Sequence, residues 1–423
     1  MQQSDKPFGP ISGCQVCEAD DLRSVLFLGY LPPVNTMVPV ELPAKEEGWF
    51  PAELVFCRRC RLVQLGYAVD PRILFPPDYP YTSGTTRVLR ENFSNLYTEV
   101  CARVPLGPND LVVDIGSNDG TLLGNFHAHG HRVYGIEPSL TGEIAQSRGI
   151  PTLIAFFDHD AVKLVRGEQG PAKVITATNV FAHIHNVHRV LRGVSELLAE
   201  DGVFVTESHY LLDLVETLQY DTIYHEHLRY YSLTSLLNLL ERHGFRVFDV
   251  QRIPTHGGSI RVFASRSSAF ARADSVDEAL AVEAQAGIVS EAWIGDFRRR
   301  VTRSKLALYQ LLGDVTERGA VYGIGAPSRA STLINYLGLD DAIVQCVLEV
   351  SSSRKLNKYM PGTRIPVLDE ERLYQDQPPY VLLLSWHIAN ELCENLQHKG
   401  YKGDFIIPLP VPRIVRAHEV PLS

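Results

Sequence analysis

Leu111-Val-Val-Asp-Ile-Gly-Ser-Asn-Asp-Gly-Thr-Leu-Leu123 decides the fold. Its first five residues are apolar but for one acid and read as a strand buried on both faces; Gly116-Ser-Asn-Asp-Gly120 then turns the chain into a helix starting at Thr121. Glycines at such a turn let a ligand approach the backbone closely. The spacing, Asp-x-Gly-x-x-x-Gly, is not the Gly-x-Gly-x-x-Gly of dinucleotide sites. The next strand, Arg132-Val-Tyr-Gly-Ile136, ends in Glu137, about 20 residues beyond the first glycine, where a carboxylate can grip a ribose diol. Asp114, Gly116, Asn118, Gly120 and Glu137 are therefore the first candidate ligand-binding residues.

The pairing of this turn with Glu137 resembles the S-adenosylmethionine sites of class I methyltransferases, and the chain around it keeps the same rhythm. Strand patterns at 151–155, 172–177 and 202–207 alternate with helical ones, which implies a doubly wound parallel sheet with ligands at the carboxyl ends of its strands. At those ends stand Phe156-Phe157-Asp158, where Phe157 and Asp158 could flank and hydrogen-bond an adenine unless the phenylalanines are core, and Asn179 with His183. A helical pattern at 232–243 and a strand pair at 246–253 and 259–265 complete the sheet; their connection brings His256, Gly258 and Ser259 to the same edge.

Between the fifth strand and that helix lies Tyr220-Asp-Thr-Ile-Tyr-His-Glu-His-Leu-Arg-Tyr-Tyr231. Imidazole titrates nearest neutral pH, a carboxylate can orient it, and a phenol can donate to a developing oxyanion. The stretch thus holds the parts for moving a proton beside a carbonyl, against the plainer reading of a polar helix with packed tyrosines. A catalytic metal on His225, His227 and Glu226 is the weaker reading, because on a strand Glu226 turns away and on a helix the histidines diverge.

Toward the N-terminus, Cys14-Gln-Val-Cys17 and Cys57-Arg-Arg-Cys60 are two Cys-x-x-Cys pairs, which together can complete a tetrahedral thiolate site. Four thiolates leave no open position, so such a Zn²⁺ is expected to be structural; redox dithiols or unligated cysteines are the alternatives. Asp78-Tyr-Pro-Tyr-Thr-Ser-Gly-Thr-Thr86 reads as a linker or as a lid bringing Tyr79 or Tyr81 to a substrate. Toward the C-terminus, residues 269–317 are helical and polar, and Ala320-Val-Tyr-Gly-Ile-Gly-Ala-Pro-Ser-Arg329 opens a second αβ unit. Gly325, Ser328 and Arg329, with Arg354 after the neighbouring strand, could hold a phosphate; a small-residue packing turn is the alternative.

The composition narrows the classes. At 423 residues two or three domains are expected, and 45% hydrophobic with 21% charged residues is a globular balance. The net charge of −9 argues against a generic nucleic-acid binder, and segment 1–70 has no dense basic cluster beyond Arg58, Arg59 and Arg61. No apolar run approaches the roughly 20 residues that span a bilayer, and the N-terminus lacks the pattern of a signal peptide, so a cytoplasmic protein is expected.

Taken together, the cysteine pairs, Asp114-Ile-Gly-Ser-Asn-Asp-Gly120, Tyr224-His-Glu-His227, Thr255-His-Gly-Gly-Ser-Ile-Arg261 and Gly323-Ile-Gly-Ala-Pro-Ser-Arg329 resemble the bacterial sugar C-methyltransferases acting on thymidine-diphosphate (TDP) 4-keto-deoxysugars for antibiotic decoration. The resemblance covers essentially the whole chain. It implies an α/β protein with a zinc module (1–75), a class I methyltransferase Rossmann-like core (76–268) and a C-terminal Rossmann-like α/β domain (269–423) that helps hold the nucleotide-sugar. It implies S-adenosylmethionine and Zn²⁺ as cofactors, a TDP-linked 4-ketosugar as substrate, no nucleic-acid or membrane partner, and a monomer. Tyr224, Glu226 and His227 are implied as active-site residues, together with His183 and one of Tyr79 and Tyr81. The expected division of labour has His227 as base, Glu226 orienting its imidazole and Tyr224 on the enolate oxygen. Glu349-Val-Ser departs from the aspartate often found in the family after the Gly-rich loop. An O- or N-methyltransferase, or a zinc-ribbon binding protein with a vestigial core, are the competing functions.

Overall fold

A computed structural model describes residues 8–43, 46–75, 84 and 86–420; Tyr79 and Tyr81 lie outside the described residues. The N-terminal strands are β1 (Gly9–Pro10), β2 (Leu22–Leu31), β3 (Phe50–Cys57), β4 (Val63–Leu65) and β5 (Tyr67–Ala68). The core adds β6 (Leu111–Ile115), β7 (Arg132–Ile136), β8 (Thr152–Leu153), β9 (Ala172–Thr178), β10 (Leu198–His209), β11 (Arg229–Tyr230), β12 (Arg246–Ile253) and β13 (Ser259–Ser265). The C-terminal strands are β14 (Val321–Ile324), β15 (Val347–Glu349), β16 (Lys358–Tyr359), β17 (Pro366–Asp369), β18 (Tyr380–Leu383), β19 (Asp404–Ile407) and β20 (Arg413–Val415).

The central sheet runs β12-β13-β10-β9-β6-β7-β8. Its strands from β8 to β10 are parallel, and β13 inserts antiparallel between β10 and β12. This is the class I methyltransferase sheet expected from the alternation of strand and helix patterns. Every residue of β6 is buried because helices cover both faces, which is why that strand reads as continuously apolar. The second sheet, β16-β17-β15-β14-β18-β19-β20, is parallel except at its two edge strands.

Residues 269–317 form two helices, Asp274–Gln285 and Ala292–Thr316. The first docks on the central core: the fully buried Glu283 accepts from the Tyr210 hydroxyl (2.9 Å) and from the Leu233 and Thr234 N–H groups (2.5 and 3.0 Å) that open the Leu233–Glu241 helix. A carboxylate there satisfies orphan donors and meets the positive end of the helix dipole. The helical run after 268 is thus in part packed with the core.

The 220–231 stretch is buried throughout; beyond a single 3-10 turn at Tyr220–Thr222 it is not helical, and it is not a solvated face. It joins the four-stranded N-terminal sheet, the central sheet and the C-terminal unit. Thr332 Oγ1, from the Ser328–Leu337 helix, donates to the Ile223 carbonyl at 3.3 Å. β11 adds an edge strand to the N-terminal sheet, order β11-β4-β3-β2, with Arg229 opposite Gln64. Tyr231 bridges to Tyr210 just after β10.

Candidate active site

Tyr224-His-Glu-His227 is a tight turn closed by the His227 N–H donating to the Tyr224 carbonyl at 3.0 Å. That turn brings the two rings together, 4.1 Å between centroids and 33° between planes. Three more imidazoles surround His227. His183 comes from the loop after β9 at 4.9 Å and His209 from the end of β10 at 4.8 Å, while His256, from the β12–β13 connection, is 5.5 Å from His209. His183, His209 and His256 each keep part of their surface open; His227 is 5% exposed.

His227 Nδ1 lies 3.0 Å from the Thr222 carbonyl. A carbonyl only accepts, so Nδ1 carries the proton and the neutral ring presents a bare Nε2. Burial, and after it the neighbouring His183, hold this imidazole well below its ordinary pKa, and His183 and His256 are pushed down to about 4, first by burial. The cluster is therefore uncharged at neutral pH.

Glu226 does not take the orienting place expected of it. Its Oε1 accepts from Asn35 Nδ2 at 2.8 Å, and Asn35 in turn reaches Ser328 Oγ at 3.1 Å. The Thr222 carbonyl performs the orienting task instead, because adjacent residues in a turn point their side chains apart. His225, left without a role by the sequence, is buried against Phe50, its Nε2 3.2 Å from the Pro51 carbonyl.

The cofactor candidates gather at the carboxyl edge of β6, β7 and β9. Gly116, Asn118 and Gly120 have φ of 70°, 48° and 75°, and a Cβ on Gly116 would lie 2.7 Å from Val180 Cγ2. Glu137 accepts from the Asn118 N–H (3.0 Å) and from Ser139 N and Oγ (2.9 and 2.5 Å), which aims its carboxylate at the loop. Asp114 accepts from Thr176 Oγ1 at 2.6 Å, and its carboxyl is pushed up to about 7 by burial, with Glu137 and Glu207 adding to the rise. A cationic ligand at this edge would relieve that crowding of acids. Asn179 takes φ 54°, and its N–H donates to the Glu207 carbonyl at 2.9 Å. Of the paired phenylalanines, Phe157 packs on Gly193 and the core, whereas Phe156 is 65% exposed. Asp158 caps the His159–Gln169 helix through the Asp160 and Ala161 N–H groups. Phe156 is thus the member of the pair that leaves its ring open at this edge.

The C-terminal unit turns its Gly-rich loop toward the 220–231 stretch. Gly325, φ 80°, donates its N–H to the Leu348 carbonyl, and Lys355 Nζ donates to the Ala326 carbonyl at 2.6 Å. Arg329 does not face this loop. Its guanidinium makes a bidentate ion pair with Asp221 (2.8 and 2.9 Å), reaches Gln219 Oε1 and lies over Trp386. Successive residues on a helix diverge by about 100°, and here Ser328 meets Asn35 while Arg329 is held by Asp221. Arg354 is exposed, and Ser259 Oγ donates to the Thr255 carbonyl, closing the turn that carries His256 and Gly258. His209 was missed by sequence reasoning, although its place at the end of a core strand was the available signal; Thr222 acts through a backbone carbonyl and left none.

Cys14, Cys17, Cys57 and Cys60 are buried with their sulfurs all within 4.8 Å of one another, the scale of a tetrahedron with Zn–S bonds of about 2.3 Å. Cys14 is pushed up to about 12, first by sharing protons with Cys57, and Cys57 is pulled down. A divalent cation resolves this conflict by holding all four as thiolates.

C-methyltransferase NovU of Streptomyces niveus is 37% identical over 413 residues, spanning 96% of this chain and 98% of that protein. This chain belongs to the C-methyltransferase family. Three family descriptions match successive segments: "Putative zinc binding domain" at 14–75, "Methyltransferase domain" at 89–250 and "C-methyltransferase C-terminal domain" at 254–410. Polyamine aminopropyltransferase 1 of Aquifex aeolicus is 30% identical over 152 residues, 31% of this chain and 54% of that one. An S-adenosylmethionine-dependent methyltransferase structure from Anabaena variabilis aligns with 45% of this chain and 89% of its own at 15% identity, with a TM-score of 0.35, too low to add to the strand order above. This C-methyltransferase uses S-adenosylmethionine, and its four-cysteine cluster is the zinc site.

Proposed function

We propose that this C-methyltransferase alkylates the carbon beside the C4 ketone, C3 or C5, of a TDP-linked 4-keto-deoxysugar through an enolate, in deoxysugar and antibiotic biosynthesis. The observation that carries the reading is the neutral His227, its Nδ1–H given to the Thr222 carbonyl and its Nε2 free to accept a proton. A proton α to a ketone is too weakly acidic for an unassisted base at neutral pH, so oxyanion stabilisation must accompany removal.

In this reading His227 Nε2 takes the α proton. Tyr224, its ring tilted against that of His227, donates its hydroxyl to the enolate oxygen. Bound S-adenosylmethionine supplies an electrophilic methyl group to the enolate carbon. Asp114, Glu137 and the Gly116–Gly120 turn hold that cofactor, with the exposed Phe156 ring offered to its adenine. Asn35 from the N-terminal module meets Glu226 and Ser328, and with Ser328 and Lys355 from the C-terminal unit it is suited to a nucleotide-sugar. With Arg329 engaged by Asp221, the Gly325 N–H by the Leu348 carbonyl and the Ala326 N–H by Glu349 Oε1 (2.6 Å), any diphosphate contact falls to Lys355 and exposed Arg354.

The test is turnover of TDP-4-ketosugars in deuterated water with NMR of the product. Wild type should exchange the α proton, and His227→Asn should lose both exchange and methylation. Removing one oxyanion donor commonly costs about 10²–10³ in rate, so Tyr224→Phe should keep a trace. Full α-proton exchange in His227→Asn refutes the base assignment, and methylation of a hydroxyl or amine refutes the C-methylation of such a sugar.

A further inference from the structure

Gln15 sits between the two cysteines of the first knuckle. Its N–H donates to Gln64 Oε1 at 2.8 Å and Gln64 Nε2 returns to the Gly13 carbonyl at 3.2 Å, so β4 braces the knuckle backbone. The Gln15 side chain then faces β11: Nε2 donates to the Leu228 carbonyl (3.4 Å) and Oε1 accepts from the Arg229 guanidinium. Arg229, 1% exposed, also donates to the Ile184 carbonyl and, through Nε, to the Tyr231 hydroxyl at 2.9 Å. Ile184 follows His183 and Leu228 follows His227, and the Leu228 N–H donates to the Ala182 carbonyl at 3.1 Å. One guanidinium therefore ties together the two loops whose imidazoles stand 4.9 Å apart.

Arg229 has no carboxylate ion-pair partner among the described residues, and a fully buried cation without a counter-charge is costly. Four thiolates around one divalent cation leave a net negative charge, and Gln15, next to Cys14, is the link between that centre and Arg229. We propose that Arg229 is a positioning residue that couples the zinc knuckle, through Gln15, to the separation and orientation of His183 and His227. The knuckle then sets the geometry of the base as well as the stability of the N-terminal sheet. The inference rests on the reading of His227 as base.

Gln15→Met removes both side-chain links without touching a thiolate. It should retain one zinc per chain by atomic emission and wild-type KM, while kcat and α-proton exchange fall together. Loss of a partner that orients functional ligands typically costs 10–100-fold, which is the drop expected. In imidazole NMR spectra the His183 and His227 resonances should move and those of the distant His129 should not. Gln15→Glu restores an acceptor for Arg229 and should recover most of kcat, which simple packing would not predict. Tyr231→Phe, away from the thiolates, should lower kcat with KM and zinc unchanged, and it decides the matter should Gln15→Met shed metal. Wild-type kcat and exchange in Tyr231→Phe and a zinc-replete Gln15→Met overturn the proposal, as does a Gln15→Glu no better than Gln15→Met. His227→Asn run alongside separates the two readings: retained exchange there removes the base assignment, whereas lost exchange there with intact exchange in Gln15→Met removes only the coupling.

Discussion

Asp221→Asn removes one charge from the buried pair that fastens the 220–231 stretch to the C-terminal unit. The Asp221 and Arg329 side chains are 1% and 6% exposed, Arg329 donates two hydrogen bonds to the carboxylate, and Trp386 Nε1 adds a third at 2.7 Å. Breaking one member of such a pair costs about 3–5 kcal/mol because the remaining charge is stranded. Asparagine keeps one carbonyl oxygen as acceptor, which brings the expected loss to about 2–3 kcal/mol. At about 2–4 °C per kcal/mol for a unit of 150–250 residues, the melting temperature should fall by roughly 4–12 °C. Scanning calorimetry of Asp221→Asn, Arg329→Met and the double variant reads this directly. Each single change should destabilise, and the double should cost clearly less than their sum, since neither charge is then left alone. A melting temperature within 1 °C of wild type for Asp221→Asn, or strictly additive losses, refutes a buried pair and would return Arg329 to the phosphate reading.

Three further outcomes are expected. His183, His225 and His256 are each held near 4, first by burial, so below the ordinary pKa of about 6.5 the unfolded chain binds protons that the folded one does not. Stability should hold above about pH 6.5 and decline toward pH 4, each group contributing at most about 1.4 kcal/mol per pH unit; a flat urea midpoint between pH 7 and 5 contradicts this. Cys57→Ser should release zinc and loosen the N-terminal sheet, read by atomic emission and by circular dichroism of that variant; full metal retention argues against a four-thiolate site. Gly116→Ala must adopt φ near 70° against Val180, costing about 1–2 kcal/mol and weakening S-adenosylmethionine binding by calorimetry. An unchanged affinity would mean the turn does not approach the cofactor.

Local patterning made much of the protein legible. The β6 strand, its glycine turn and Glu137 are contiguous signals, because a strand covered on both faces must be apolar and a positive φ favours glycine. Cys-x-x-Cys spacing is likewise a short-range fact that the fold had only to bring into pairs, and the Tyr224–His227 rings needed only a four-residue turn. Those features follow from chain geometry over a few residues. Partnership across hundreds of residues does not. That Glu226 meets Asn35 rather than His227, that Thr222 fixes the imidazole through its carbonyl, that Asp221 claims Arg329, and that Gln15 reaches Arg229 were decided by tertiary packing. The physical reason is the same in each case: a buried charge or donor takes whichever complementary group the fold delivers, and no local pattern records which group that will be.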